Sequence, residues 1–289
     1  MATWMIDSFG SDELRARFVP SLVGMEKIAS YCLTEPGSGS DAAALRTTAV
    51  RDGDHYVLNG AKAFISGAGT SDVYVVMVRT GGEGPKGISA IVVEAGTPGL
   101  SFGANEKKMG WNAQPTAVVS FDDCRVPVAN LVGEEGKGFR YILSGMNAER
   151  LLIAAECIGD AKWFIDKARD YARERVLFGR PIGQNQGVQF PIARAYAQMR
   201  AAELMVREGL RRYEAGDNAG EEANIAKMLA AEASWAAGEA CIQTHGGFGF
   251  AAEYDVERKF RETRLYQVAP ISTNMILSYV AEHVLNLPR

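Results

Sequence analysis

"VPVANLVGEEGKGF", Val126 to Phe139, is where the sequence changes character. Upstream, from Ile28 to about Val126, short runs rich in β-branched and aromatic residues follow one another: "HYVLNG" from His55, "VYVVMV" from Val73, "ISAIVVE" from Ile88 and "TAVVSFD" from Thr116. Asp52-Gly53 is a turn signal joining two of these runs, and glycine and proline clusters punctuate the rest. Closely spaced strands without intervening helices predict an antiparallel sandwich or barrel. Downstream, apolar residues recur at helical spacing over approximately 138–173, 186–214, 220–244, 254–266 and 272–286, with short loops between them, which predicts an up-and-down bundle. The fold class is therefore α+β, with a β-domain at 27–132 and a helical bundle at 133–289.

Residues 1–26 stand in front of both. "SDELRARFVPSL" reads as a short helix with Ser11 as N-cap and Leu14, Phe18 and Leu22 on one face, like the end of a larger helical element.

Composition narrows the function. The 289 residues are 47% hydrophobic and 23% charged, with no apolar run approaching the roughly 20 residues that span a bilayer. Lysine and arginine number 31 against 35 acids, so no basic surplus draws the chain to nucleic acid or anionic lipid. Cys32, Cys124, Cys157 and Cys241 form no CxxC pair and the first residues do not read as a signal peptide's charged and apolar blocks, so buried free thiols in a reducing cytoplasm are expected. His55, His245 and His283 lie too far apart in sequence to suggest a histidine metal site.

Two stretches invite chemistry. "YCLTEPGSGSDAA", Tyr31 to Ala43, carries Gly37-Ser38-Gly39 and superficially looks like a dinucleotide fingerprint. That motif requires a helix and a parallel strand next; strands follow here, so the Rossmann reading fails. What remains is either an ordinary turn or a loop offering backbone N–H groups and hydroxyls to a phosphate or heterocycle. "SGMNAERLLI", Ser144 to Ile153, places Glu149 in an oily helix. Ile142, Met146, Glu149, Ile153 and Glu156 share a helical stripe, and the neighbours of Glu149 at three and four residues are Gly145, Met146, Leu152 and Ile153, none cationic. A carboxylate so placed is either functional or paired with a cation from another helix.

Together with "NGAKAFISGAG" (59–69), "RVLFGRPIGQNQGVQF" (175–190) and "QTHGGFGF" (243–250), the first stretch resembles the acyl-CoA dehydrogenase family, whose motifs occur in this order. The β-segment resembles that of isobutyryl-CoA dehydrogenases. The resemblance implies a middle β-domain and a C-terminal four-helix bundle, and FAD as cofactor. It implies an acyl-CoA of short or branched chain as substrate, and electron-transferring flavoprotein as partner. It also implies a homodimer or homotetramer sharing FAD across its interface. Most of the family's N-terminal helical domain has no counterpart before residue 27, so a fragment, an internal start, or half of a composite site is expected.

Roles follow where residues match. Tyr31, Leu33, Thr34 and Gly39 would border the flavin, with the Thr34 hydroxyl as a hydrogen-bond partner, and Phe64, Ile65 and Ser66 would lie against its ring. Ser40 would meet the CoA moiety. Arg175 is the implied pyrophosphate partner, since a guanidinium fork matches phosphate oxygens. Phe178, Asn185 and Gln186 complete that patch, while Arg173 and Arg180 read equally well as surface charges. Gln243, Gly246 and Gly247 would face a partner subunit's cofactor, His245 would pack or donate one hydrogen bond, and Ser272, Thr273 and Asn274 keep the polar character of FAD-contacting positions. Most of the family carries its catalytic glutamate in a segment that here reads "LYQVAPISTNM", and the matching residue is Pro270, followed by Ile271 where glycine is usual. Proline has neither a carboxylate nor an amide hydrogen to polarise a thioester carbonyl. Isovaleryl-CoA dehydrogenases carry the base on another helix, and "SGMNAERLLI" aligns so that Glu149 falls on it, with Asn147 and Arg150 at substrate-facing positions. The expectation is an acyl-CoA dehydrogenase using Glu149; the alternative is a non-catalytic flavin-binding partner subunit or a truncated fragment.

Overall fold

Val73–Arg79 is buried along almost its whole length, and the first half of the protein is organised around it. The computed structural model describes residues 1–288 and divides into two compact units, Met1–Gly145 and Met146–Arg289.

The first unit opens with helices α1 (Ala2–Phe9) and α2 (Asp12–Val23). Ser11 caps α2 as expected, its Oγ accepting from the Leu14 N–H at 3.2 Å, and Leu14, Phe18 and Leu22 are the buried face. Strands β1 (Ala29–Cys32), β2 (Thr48–Asp52), β3 (His55–Ser66), β4 (Val73–Arg79), β5 (Ile88–Glu94), β6 (Leu100–Phe102), β7 (Thr116–Pro127) and β8 (Leu131–Val132) form one sheet in the order β6-β7-β3-β2-β4-β5-β8, with β1 also on β4. The Asp52-Gly53 turn makes the β2–β3 hairpin, with Gly53 at φ 64°. Tyr74, Val76 and Val78 of β4 join Tyr56, Leu58, Ile65, Ile91, Val93 and Val119 in one core cluster, while Val73, Val75 and Met77, on the alternate face, are equally buried.

The expectation of an antiparallel sheet is corrected here. β1 runs parallel to β4, with Ala29–Cys32 opposite Val73–Val76, and β2 touches β4 in a parallel pair at Thr48 and Arg79. β1 and β2 thus lie end to end along one edge of β4, and residues 33–47 leave the sheet between them. Among the described residues the pairing path stays open from β6 to β8, with no barrel closure.

Helix α3 (Gly138–Glu174) begins in this unit. A Cβ on Gly138 would come within 2.7 Å of the Ser89 backbone, and the Tyr141 ring stacks on Phe9 with centroids 4.1 Å apart. That packing holds the first turns of α3 in the first unit.

In the second unit α3 buries Leu151, Ala154, Cys157, Ile158, Ala161, Phe164 and Ala168 at helical spacing. After the small hairpin of β9 (Val176–Leu177) and β10 (Arg180–Pro181) come α4 (Gln186–Glu214), α5 (Gly220–His245), α6 (Val256–Thr263) and α7 (Thr273–Tyr279). Small residues allow close approach: α5 buries Ala223, Ala226, Ala230, Ala233 and Ala237, and a Cβ on Gly209 of α4 would come within 2.6 Å of Leu151. The last two helices are shorter than their periodicity predicts. Residues 264–267 tighten into a 3₁₀ turn and 280–284 widen into a π turn.

All four cysteines are buried and free, and burial raises every thiol pKa, Cys124 to about 11 and Cys32 and Cys241 to about 12. Among the described residues no helix is long and apolar enough to cross a membrane, and no group of three His, Cys, Asp or Glu could hold a metal ion.

Glu203 ties α4 to α3. Its buried carboxylate accepts from Lys162 at 2.9 Å and Arg207 at 3.1 Å and pairs with Arg200. The Lys162 hydrogen bond, outweighing desolvation, holds its pKa down at about 2. A depressed carboxylate pKa contributes stability that is complete above the unfolded value, near 4.5, and is lost as pH falls toward the folded one. The three cations stay half-exposed or more, so solvent screening keeps the effect modest. Glu203→Gln is expected to lower the thermal midpoint at pH 7, with the gap to the unmutated protein narrowing from pH 4.5 downward; scanning calorimetry across that range checks it.

Candidate active site

The loop that leaves β1 is folded back on itself by paired backbone bonds. Glu35 N–H donates to Ser38 O at 2.9 Å and Ser38 N–H returns to Glu35 O at 3.1 Å, while Ser38 Oγ reaches Asp41 O at 2.6 Å. Gly39 and Ser40 are exposed, and a Cβ at Gly37 or Gly39 would meet nothing within 4 Å, so there is open space over this stretch of backbone. Tyr31, Leu33 and Thr34 are half-buried at the loop's root, where Thr34 O accepts the Ala63 N–H of β3 at 2.8 Å.

Just past that bond β3 breaks register. The pairing with β7 skips between Lys62 and Ile65, and Phe64 is thrown outward at φ 56°, 67% exposed. A bulky residue in the left-handed region is strained, and strain of this kind gathers at ligand sites. Phe64 is therefore not a core phenylalanine, and Ser66 is exposed beside it. The expectation for Ile65 is corrected: at 2% exposed it belongs to the sheet core, because the bulge returns it to the inner face, and only its backbone is left for a ligand.

Sequence reasoning missed Lys62 and Glu35. Lys62 is fully buried and paired with Glu35. The alternation signalled it: Tyr56, Leu58 and Lys62 occupy even positions of one strand, the inward set.

In the second unit Glu149 is half-buried and its carboxyl pKa is raised, chiefly by desolvation. Among the described residues no ion pair links it to another helix. The stripe read from the wheel is corrected, however. The buried seam of α3 runs through Leu151, Ala154 and Cys157, whereas Met146, Glu149 and Ile153 are half-buried and Glu156 is exposed, so Glu149 lies on the shoulder of the core. Arg150 Nη1 donates to Asn147 Oδ1 at 3.0 Å, and its Nε is buried without a partner. Lys227 on α5 is fully buried, donates to Ile271 O at 2.7 Å, and has its pKa lowered to about 8 by burial and by repulsion from Arg150. It thereby anchors the segment carrying Pro270.

A second cluster gathers residues separated by seventy positions in the chain's numbering, from about 175 to about 248. The β9–β10 turn holds Phe178 at φ 52° and Gly179 at φ 79°, with Phe178 fully exposed at its tip. Arg175 sits over the Phe248 ring, 5.5 Å from its centroid. Gly246 ends α5 at φ 57°, and both Gly246 and Gly247 are open to solvent beside the exposed Gln243. Arg180 Nη2 donates to Asn185 Oδ1 at 2.7 Å just before Gln186 opens α4, so Arg180 braces this segment. His245 is buried, stacked on Tyr171 and bonded through Nδ1 to Cys241 O at 2.8 Å, with burial lowering its pKa, a packing role. Ser272 caps α7, its Oγ accepting from Met275 N–H at 3.4 Å, and Asn274 is exposed.

These features fit a flavin nucleotide. In the first unit an exposed aromatic ring on a strained bulge beside a glycine-rich loop suits a planar ring system, and in the second a guanidinium in no ion pair among the described residues suits phosphates.

Comparison with known proteins agrees. Residues 136–285 match the family model "Acyl-CoA dehydrogenase, C-terminal domain" and residues 30–124 match "Acyl-CoA dehydrogenase, middle domain". The mitochondrial isobutyryl-CoA dehydrogenase of Bos taurus is 48% identical over 286 residues, 99% of this chain and 69% of that protein. Its Dictyostelium discoideum counterpart is 48% identical over 93% of this chain and 65% of its own length, so the chain spans about two thirds of these relatives. The structure of butyryl-CoA dehydrogenase from Megasphaera elsdenii superposes with a TM-score of 0.95 at 33% identity, over 98% of this chain and 74% of that one.

Lys227→Met removes a buried charge-assisted hydrogen bond worth about 1.5–3 kcal/mol. Amide exchange over residues 268–276 is expected to quicken about tenfold or more while residues 1–145 are unchanged, read by hydrogen-exchange mass spectrometry.

Proposed function

Since the chain belongs to the acyl-CoA dehydrogenase family, whose members are FAD-dependent flavoproteins, we propose that it dehydrogenates an acyl-CoA thioester at its α and β carbons, with Glu149 as the α-proton base. The likeness to isobutyryl-CoA dehydrogenases supports a short or branched acyl chain. Residues 27–132 serve as the β-domain and 133–289 as a four-helix bundle. The observation that carries the reading is the half-buried Glu149, its proton affinity raised and its carboxylate, among the described residues, in no ion pair with another helix, in a chain whose usual base position is Pro270.

Each residue then has a chemical task. Desolvation makes Glu149 a stronger base toward a weakly acidic α-proton. Asn147, Arg150 and Ser40 bind the CoA-bearing substrate. The Ile271 N–H takes over as thioester donor from the position lost to Pro270, in a residue whose own carbonyl, one peptide further on, is held by Lys227. Tyr31, Leu33, Thr34, Gly39, Phe64 and Ser66 hold FAD, together with Ser272 and Asn274. Arg175, Phe178, Asn185, Gln186, Gln243, Gly246 and Gly247 serve the FAD of a partner subunit. When bound, FAD supplies the acceptor for the β-hydride.

Exposed Phe178, Phe190, Tyr196, Leu204 and Phe250 support a homodimer or homotetramer. Electron-transferring flavoprotein is the proposed acceptor of the electrons, and the buried free thiols support a reducing compartment such as the cytoplasm.

Pro270 favours one other reading, a non-catalytic flavin-binding subunit. Anaerobic addition of acyl-CoA separates the two, because only the enzyme bleaches its flavin.

An acyl-CoA panel with an artificial electron acceptor tests the base. Glu149→Gln is expected to lower kcat by about 10² to 10⁴ with KM nearly unchanged. Because the deprotonated carboxylate is the active form and its pKa is raised, the acidic limb of kcat/KM in the unmutated protein falls above the ordinary carboxylate range. Turnover surviving in the glutamine variant removes Glu149 from the role.

A further inference from the structure

The ion pair under the β1–β2 loop has no task in the proposed chemistry. Lys62 Nζ donates to Glu35 Oε1 at 2.8 Å and to Leu33 O at 3.2 Å, and no part of the lysine reaches solvent. Glu35, 7% exposed, also accepts the backbone N–H of Arg46 at 2.6 Å and of Thr47 at 2.9 Å. One carboxylate therefore grips the loop where it leaves the sheet and where it returns. The next residue of β3, Ala63, donates its N–H to Thr34 O at 2.8 Å, and the one after is the outward-thrown Phe64.

Burial pushes the Glu35 pKa up, but Lys62 and the Thr47 and Arg46 contacts outweigh it and leave it below the usual value, so the carboxylate stays ionised. A pair this buried is a weak source of stability, since desolvation offsets most of its attraction. What it supplies is register. Residues 62 and 63 of β3 are cross-linked to 33, 34 and 35 of the loop, immediately beside Phe64 and Thr34.

Building on the flavin assignment above, we propose that Lys62 and Glu35 are positioning residues for the flavin: their pair sets the spacing between the Thr34 hydroxyl on the loop and the Phe64 ring on the β3 bulge, so that both meet one planar ring system.

The test titrates FAD into the full-length apoprotein, following flavin fluorescence, for the unmutated chain, Lys62→Met, Glu35→Gln and the double variant. The apoprotein thermal midpoint and the visible spectrum and midpoint potential of the bound flavin are read alongside. Each single substitution is expected to weaken FAD binding tenfold or more and to shift the spectrum and potential. The double variant, which no longer buries a lone charge, regains the thermal midpoint of the apoprotein but not the FAD affinity, which a purely structural pair would restore together. A folded variant that binds FAD within twofold of the unmutated chain, with spectrum and potential unchanged, overturns the proposal. If the variants do not fold, amide exchange in the unmutated protein decides: FAD slows exchange over 33–40 and 61–66 together if the two segments form one surface, and slowing in only one of them overturns it. Failure of the unmutated chain to bind FAD overturns the flavin assignment itself, a different result from unchanged binding in the variants.

Discussion

Burial of β4 on both faces is the constraint from which the first unit follows. A strand with no solvent side must satisfy its hydrogen bonds along both edges, and β5 supplies one of them completely. The other edge is shared: β1 covers Val73 to Val76, Thr48 of β2 meets Arg79, and the chain between them is expelled from the sheet. That expelled chain is the glycine- and serine-rich loop. Its position is thus a consequence of incomplete pairing along a core strand, and its shape is then fixed by side chains, with Glu35 as the common acceptor at its neck.

The same logic explains what was legible in the sequence. Strand runs of five to seven residues, the Asp52-Gly53 hairpin, the Ser11 cap and the limits of α4 were readable because each rests on local chemistry: alternation, turn preference, capping. The parallel pairing of β1 was not, because four residues of "ASYC" carry no mark of strand direction, which is set by a crossover whose path lies in tertiary contacts. The ends of the last helices were missed for a related reason. Apolar spacing continues through 264–267 and 280–284, while the backbone there tightens or widens away from 3.6 residues per turn.

At the candidate site, residue types were easier to read than directions. Phe64 and Ile65 look alike in the motif, yet one β-bulge sends the first to solvent and the second to the core. On α3, a wheel drawn from Ile142 placed Glu149 in the centre of an apolar stripe. Over a 37-residue helix the face presented to neighbours drifts, since those neighbours differ along its length, and the seam passes one residue to the side. The motif therefore identifies the residues while packing decides what each can touch.

Being on that shoulder strengthens the case for Glu149 as a base. A carboxylate in the seam itself would be sealed from any substrate and would need a permanent cation, as Asp160 has in Lys259 at 2.5 Å. One fully in water would keep an ordinary proton affinity and be too weak for an α-proton. The shoulder gives partial desolvation together with access. Arg150 is itself turned inward, its Nε buried, with Lys227 behind it pushing against the same charge. Lys227 and Arg150 repel each other, and an anionic group of a bound substrate beside Arg150 would ease that repulsion.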